Sequence, residues 1–336
     1  MKVTIYDVAE KASVSISTVS KVLNEKGNIN EKTKQRVYDA IKALDYKPSV
    51  VLSVQKAMKT IGVLIPDIAN PFMAEVTRAV EDSGRKKGFN VMICSTDNDP
   101  DKEEEYITML QQKYLDGMII ATGLKNSRAL NKLKKSEVPV VLLTRDVPKF
   151  PAHSVMVDDF QGGYDAGTYL AELGHKRVAA LMEDVDVPSI KQRFYGLKEA
   201  LQACNVPMTE ASTRYAPHSL AESKQAALDL LSQEITPTAI FASTEILAVG
   251  VLQAAKEKGL KVPEDLSVIG FDNSILAQVT DPQLTTIGQP AQKMGEKAIE
   301  LFVEELLDKK EKEEKIVQRL VLTPSLIERE STARLT

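Results

Sequence analysis

Tryptophan is absent from these 336 residues, and there are only two cysteines and three histidines. Cys94 and Cys204 each stand without a Cys or His nearby in sequence. That spacing argues against a disulfide framework or a local metal site and reads both as reduced, buried fillers. Long apolar runs are also missing: no stretch suffices to span a bilayer. The residues after Met1-Lys2 lack the apolar core of a secretory signal, so the expectation is a cytoplasmic chain without membrane contact. Catalytic signatures are wanting as well. There is no Gly-x-x-x-x-Gly-Lys-Ser/Thr phosphate loop, no Gly-x-Ser-x-Gly, no Gly-x-Gly-x-x-Gly and no His-Glu-x-x-His. With His153, His175 and His218 far apart, the chain reads as no enzyme, and no cofactor is expected.

Against these absences stands a hydrophobic content of 43 %, enough to bury two or three globular cores. The formal net charge of −4 is unevenly spread. Residues 1–60 hold eleven Lys and Arg against six Asp and Glu, a net of +5, which leaves −9 for the rest. A basic end on an acidic body suits contact with a polyanion by that end alone.

The basic end reads as three short helices. Thr4 can cap the first, Asp7 favours its positive pole, and Ile5, Val8, Ala9 and Ala12 share one face. Ser13-Val14-Ser15 forms a turn, and Ser15 can cap a second helix with Val19, Val22 and Leu23 inward. Its other side offers Ile16, Ser17, Ser20 and Lys21 outward. A third helix from Asn30 through Leu44 buries Val37, Ile41 and Leu44. This spacing fits a helix-turn-helix, whose second helix enters the major groove; Ser and Lys can bond base edges or phosphates, and Ile16 can touch a thymine methyl. It also fits an ordinary three-helix cap with a solvated polar face.

The run from Thr4 to Asn24, then Thr33-Lys-Gln-Arg-Val37 and Leu44-Asp-Tyr-Lys-Pro48, resembles the head of LacI/GalR regulators, of the Gram-positive catabolite-control and degradation-activator type. The resemblance implies that Ile16, Ser17 and Lys21 read bases and that Ser15, Thr18 and Asn24 hold phosphates, with Thr4 and Tyr6 also on the DNA. A hinge helix after Pro48 is implied too, inserting an apolar wedge into the minor groove. Here the leucine position holds Gln55 and the linker is about two residues short, so Leu52 or Val54 becomes the candidate wedge. Ser13 departs from the glycine usual in the turn.

Beyond Thr60, apolar runs alternate with amphipathic stretches. Strands are expected at 61–65, 90–94, 117–121, 138–143 and 154–157, with helices at 74–88 and 102–113 between them. A second set follows: helices at 162–173, 191–203, 220–232 and 247–258, and strands at 178–182, 212–215, 239–242 and 267–271. Such alternation implies two doubly wound parallel sheets, with ligands outside the carboxyl ends of their strands.

Gly62-Val-Leu-Ile-Pro-Asp-Ile-Ala-Asn-Pro-Phe72, Arg193-Phe-Tyr-Gly-Leu197 and the run Val262 to Asn273 resemble the periplasmic-binding-protein-like type I core of the same family. The resulting layout is a head at 1–46, a hinge at 47–59 and an effector-binding and dimerisation core at 60–336. Its N-lobe spans about 60–158 plus 289–321, and its C-lobe about 159–288 plus 322–336. Effector candidates implied by the resemblance are Asn70, Phe72, Arg193, His218 and Asp272, although Asn70 also fits a turn, Arg193 an ion pair and Asp272 a helix cap. Thr244-Glu245 replaces a common Asn-Asp, and the longer Glu would project differently into the cleft.

The expected function is an allosteric transcription regulator, a repressor. It binds pseudo-palindromic double-stranded operator DNA as a homodimer paired along helices such as 72–88, and a sugar or sugar phosphate controls it. The alternative is a small-molecule sensor of this fold acting through a protein co-effector. The charged run 308–315 reads as an exposed loop or helix end, and the lack of a terminal leucine heptad favours a dimer over a tetramer.

Overall fold

A computed structural model describes residues 3–23, 29–44, 46, 59–112, 115–124, 126–136, 138–147, 150–183, 187–311 and 316–335, excepting the side chains of 308–311. These fall into two compact units, Met1–Lys59 and Thr60–Thr336.

The first unit holds α1 (Ile5–Ala12), α2 (Ile16–Leu23) and α3 (Glu31–Ala43). At the start of α1 the Asp7 carboxylate accepts from the Thr4 N–H and from its hydroxyl, each at 2.7 Å. The turn passes through Ser13 at φ 50° and ψ 51°, the left-handed region that glycine enters without steric cost. Arg36 on α3 donates to the carbonyls of Ala12 and Ser13, pinning that turn. Ser15 Oγ then accepts from the Thr18 N–H at 3.2 Å to cap α2, and Asn30 Oδ1 accepts from Thr33 N–H at 2.8 Å to cap α3. Val8, Ala9, Ala12, Val19, Val22, Val37 and Ala40 form the core between the helices. Asn24 and the hinge residues 47–58, including Leu52, Val54 and Gln55, lie outside the described residues.

The second unit contains two six-stranded sheets. The first draws on β1 (Lys59–Ile65), β2 (Phe89–Ser95), β3 (Gly117–Ile120), β4 (Val140–Leu143) and β5 (His153–Val157), with helices α4 (Pro71–Lys86), α5 (Pro100–Gln112) and α6 (Ser127–Lys135) between strands. Side chains of these strands alternate between faces, as a pleated strand requires. Ile61, Val63, Ile119, Val141 and Leu143 face one core with α4, whereas Leu64, Met118, Ile120, Val140 and Leu142 face the other with α5 and α6. Each apolar run is therefore continuous because both of its faces are covered.

The second sheet follows the same plan with β6 (Val178–Met182), β7 (Thr213–Tyr215), β8 (Ala239–Ala242), β9 (Ser267–Asp272) and β10 (Thr285–Gly288). Its helices are α7 (Asp159–Glu172), α8 (Pro188–Ala203), α9 (Leu220–Leu231), α10 (Glu245–Glu257) and the short α11 (Ile275–Val279). Ala180, Met182, Phe241, Ile269 and Phe271 pack towards α7 and α8; Ala179, Leu181, Ile240, Ala242 and Val268 pack towards α9 and α10. From β10 the chain returns to the first lobe as α12 (Ala291–Glu311), which packs against α4. It then adds β11 (Arg319–Leu322) beside β5 and β12 (Ser325–Ile327) beside β10. The pairing of β12 with β10 is antiparallel, whereas β9 pairs with β10, β8 with β9, and β6 with both β7 and β8 in parallel.

Several boundaries differ from the sequence-based reading. Helix α7 starts at Asp159 rather than 162, because the Asp158 carboxylate accepts from the Gln161 N–H at 3.0 Å and caps it. Helix α8 starts at Pro188, which needs no donor in a first turn. Helices α6, α11 and α12 and strands β10 to β12 were not anticipated. Cys94 is buried as expected, but Cys204, at the C-cap of α8, is half-buried rather than a core filler. Helix α12 extends into the charged run as far as Glu311; residues 312–315 lie outside the described set.

Candidate functional site

Connections following the strands of both sheets converge on one cavity of about 90 Å³. Asn70 and Phe72 follow β1, Arg145 follows β4, Glu183 follows β6, His218 follows β7, Thr244 follows β8 and Gln289 follows β10, while Asp272 ends β9. This is the carboxyl edge where doubly wound sheets bind ligands. All five residues named from sequence, Asn70, Phe72, Arg193, His218 and Asp272, line it.

Their chemistry differs in degree of commitment. Asn70 Oδ1 accepts from the N–H groups of Phe72 and Met73 and so caps α4, which leaves its amide NH2 as the group it can offer. Phe72 is buried and shared with the core beneath α4. Arg193 is buried in the second turn of α8, its guanidinium carbon 3.6 Å from the centroid of the Phe271 ring. Nε donates to Asp159 at 2.8 Å and Nη1 to the Ser243 carbonyl at 2.7 Å, with Asp272 Oδ1 at 3.5 Å. The planar fork is thus fixed by Asp159, the Ser243 carbonyl and the Phe271 ring where it lines the cavity.

Asp272 is a buried member of the lining. Gln289 Nε2 donates to its Oδ1 at 2.6 Å. Burial raises its carboxyl to about 6, against the pull of Arg193 and Gln289. Its backbone φ of 124° and that of Asn273, 64°, are left-handed, a strain that non-glycine residues retain at functional positions. Burial alone would depress the His218 imidazole. The hydrogen bond to Glu183, Nδ1 to Oε2 at 3.3 Å, and the negative field of Glu183, Asp272 and Asp67 outweigh it and hold its pKa above the ordinary value. A carboxylate, a fixed guanidinium and an amide grouped in this way can accept from and donate to adjacent hydroxyls of one ligand.

Glu245 corrects the sequence reading: it does not enter the cleft. As the first residue of α10 it turns away and accepts from the Ser274 N–H at 2.9 Å and from the Ser274 hydroxyl. Burial, reinforced by the charge of Asp272, pushes its carboxyl up to about 8. Thr244 instead faces the cavity, its enclosed Oγ1 without a partner among the described residues. Arg145, Glu183 and Gln289 were not singled out from sequence as cleft residues, and Thr244 was noted only as half of the Thr244-Glu245 replacement. For Arg145, Glu183 and Thr244 the available signal was positional, since each is a polar residue one or two places beyond a buried apolar strand; Gln289 follows Thr285–Gly288, which carries no such run.

In the first unit, Ser15, Ile16, Ser17 and Lys21 are exposed along one side of α2, with Thr18 half-buried beside them. The hydroxyl of Ser15 lies 2.7 Å from that of Ser17 and 2.8 Å from that of Thr18. Tyr6 is 67 % exposed and Ile16 40 %, so both side chains are available to an external surface. Among the described residues, no helix is long and apolar enough to cross a membrane, and no cluster of His, Cys, Asp and Glu could hold a metal ion.

Residues 4–49 match the family described as bacterial regulatory proteins, lacI family, and residues 168–332 match the periplasmic binding protein-like domain. The chain is 39 % identical over 340 residues to the HTH-type transcriptional regulator DegA of Bacillus subtilis (strain 168), covering 100 % of this chain and 99 % of DegA. Among solved structures, the lac repressor dimer bound to operator and the anti-inducer ONPF is similar with a TM-score of 0.78 at 26 % identity. That match covers 99 % of this chain and 100 % of the other. A LacI family transcriptional regulator from Enterococcus faecium with bound ribose gives a TM-score of 0.74 at 34 % identity, over 83 % of this chain and 100 % of that one.

Proposed function

The chain belongs to the LacI family of bacterial DNA-binding transcription regulators, and on that premise we propose that it represses as a homodimer on a pseudo-palindromic operator, with operator affinity set by a sugar or sugar phosphate in the inter-lobe cleft. The exposed face of α2 supports the first part. Ile16, Ser17 and Lys21 point away from the head core, where a recognition helix needs an apolar contact, a small donor and a cation. Tyr6, Thr4, Ser15 and Thr18 supply further contacts, with Asn24, Leu52 and Val54 as the proposed contacts beyond the described part of the head.

The observation that carries the effector reading is the cavity lined from both sheets. Asn70 and Phe72 belong to one sheet's connections, Arg193, His218 and Asp272 to the other's. The chain passes between sheets at Val157–Asp159, at Gly288–Ala291 and at Leu322–Ser325, three short strands of backbone about which lobes can rotate. A ligand bridging them favours one lobe arrangement over another, which is the differential affinity an allosteric change requires. The relative bound to ribose supports a carbohydrate as the ligand.

Selection from a random duplex library, followed by sequencing, tests the proposal. The expected result is a pseudo-palindromic consensus whose two half-sites fit two symmetric heads. Enrichment of a single asymmetric half-site, or none, would overturn the homodimeric operator reading.

A further inference from the structure

The first cavity adjoins a second, of about 200 Å³, the two sharing Asn98, Arg145, Glu183, Val187 and His218. The second carries its own polar set. Glu103 is buried, with Oε2 accepting from the Leu124 N–H at 3.2 Å while the enclosed Oε1 has no hydrogen-bond partner among the described residues. Thr122 Oγ1 and Arg145 Nε are enclosed and unpartnered in the same sense. Arg145 follows Thr144, whose φ of 66° is left-handed, an outlier for a β-branched residue that points to a functional constraint. Enclosed polar atoms without partners are rare in folded chains and each calls for an explanation. An acceptor, a hydroxyl and a guanidinium facing one chamber are satisfied together by the hydroxyls of a bound molecule.

Resting on the carbohydrate reading above, we infer that the effector is an uncharged carbohydrate of two rings, one held by Arg193, Asp272 and Gln289 and the other by Glu103, Thr122 and Arg145. Size supports this. The first chamber encloses about 90 Å³ and the second about 200 Å³, so a molecule that reaches both polar sets must extend well beyond the first. A molecule confined to one chamber leaves the other polar set unsatisfied. Charge supports it too. Asp67, Asp99, Glu103, Glu183 and Asp272 line the pair against two guanidiniums and one imidazole, a field that repels a phosphate ester.

Calorimetric titration of the full chain tests this with cellobiose, maltose, lactose, sucrose and trehalose against glucose, ribose and glucose 6-phosphate. A disaccharide is expected to bind at least tenfold tighter than any monosaccharide or the phosphate. The isosteric Thr122→Val weakens it roughly fivefold and changes monosaccharide binding less than about threefold, whereas Arg145→Ala, at a residue shared by both chambers, weakens the disaccharide roughly tenfold and the monosaccharides as well. Arg193→Ala weakens all of them. The two-ring inference alone falls if a monosaccharide or the phosphate binds tightest in an Arg193-dependent manner, or if Arg145→Ala and Thr122→Val leave the tightest ligand unchanged. Failure of every sugar to bind overturns the carbohydrate reading as well.

Discussion

Two residues carry backbone or charge that the fold must hold against a cost. Ser13 occupies the left-handed region in the turn of the head, where a side chain is disfavoured by roughly 1–2 kcal/mol. Ser13→Gly is therefore expected to stabilise the head by about 0.5–1 kcal/mol, read as greater hydrogen-exchange protection of the α1 amides in the full chain; unchanged protection would show the turn to be unstrained. Glu245 carries a raised acid, with burial as the main cause and Asp272 adding to it. Between its ordinary 4.5 and about 8 the native state holds more protons than the unfolded chain, so stability falls as pH climbs through that interval. Glu245→Gln removes this titration while keeping an acceptor for the Ser274 N–H. Its gain in Tm over the parent chain is expected to grow from about pH 5 to about pH 9; a constant difference would place the ionisation elsewhere.

At the scale of elements, the packing of α7 on α8 positions the site. A Cβ at Gly163 would lie 2.0 Å from the Arg193 carbonyl oxygen, and one at Gly196 1.9 Å from that of Phe160, so the two helices meet backbone to backbone. Gly163→Ala must push α8 away and carry Arg193 from Asp159. The expected outcome is a loss of roughly 1–3 kcal/mol in urea denaturation together with weakened ligand binding, whereas native stability would refute the close approach. The elements themselves were largely readable. Continuous apolar runs such as 61–65 and 239–242 announce strands covered on both faces, and the Thr4 to Leu23 pattern announces two capped helices. The connections were not readable. Whether Arg145 or Glu245 enters the cleft depends on the direction a loop leaves its strand, which Thr144 at positive φ and the Ser274 hydrogen bonds decide. Neither signal exists in hydrophobic periodicity. Strands β11 and β12 escaped notice because their apolar stretches, Leu320–Leu322 and Leu326-Ile327, are only three and two residues long.

At the scale of the whole molecule, the basic head and acidic core divide the labour. Phosphate contacts confined to the head predict that log K for the selected duplex falls linearly with log salt, while binding of an uncharged sugar is nearly insensitive to salt; a strongly salt-dependent sugar affinity would contradict that division. If α2 reads DNA and the Arg193 cavity governs it, the two roles separate by mutation. The most direct test compares Lys21→Ala and Arg193→Ala, each titrated with the selected duplex and with the tightest-binding sugar. Lys21→Ala is expected to lose roughly 5- to 100-fold in duplex affinity and to keep its sugar affinity. Arg193→Ala is predicted to bind duplex like the parent chain but to lose both sugar binding and the sugar's effect on the duplex. If Lys21→Ala leaves duplex binding intact, or Arg193→Ala retains the full response of the duplex to sugar, the assignment of the two sites is wrong.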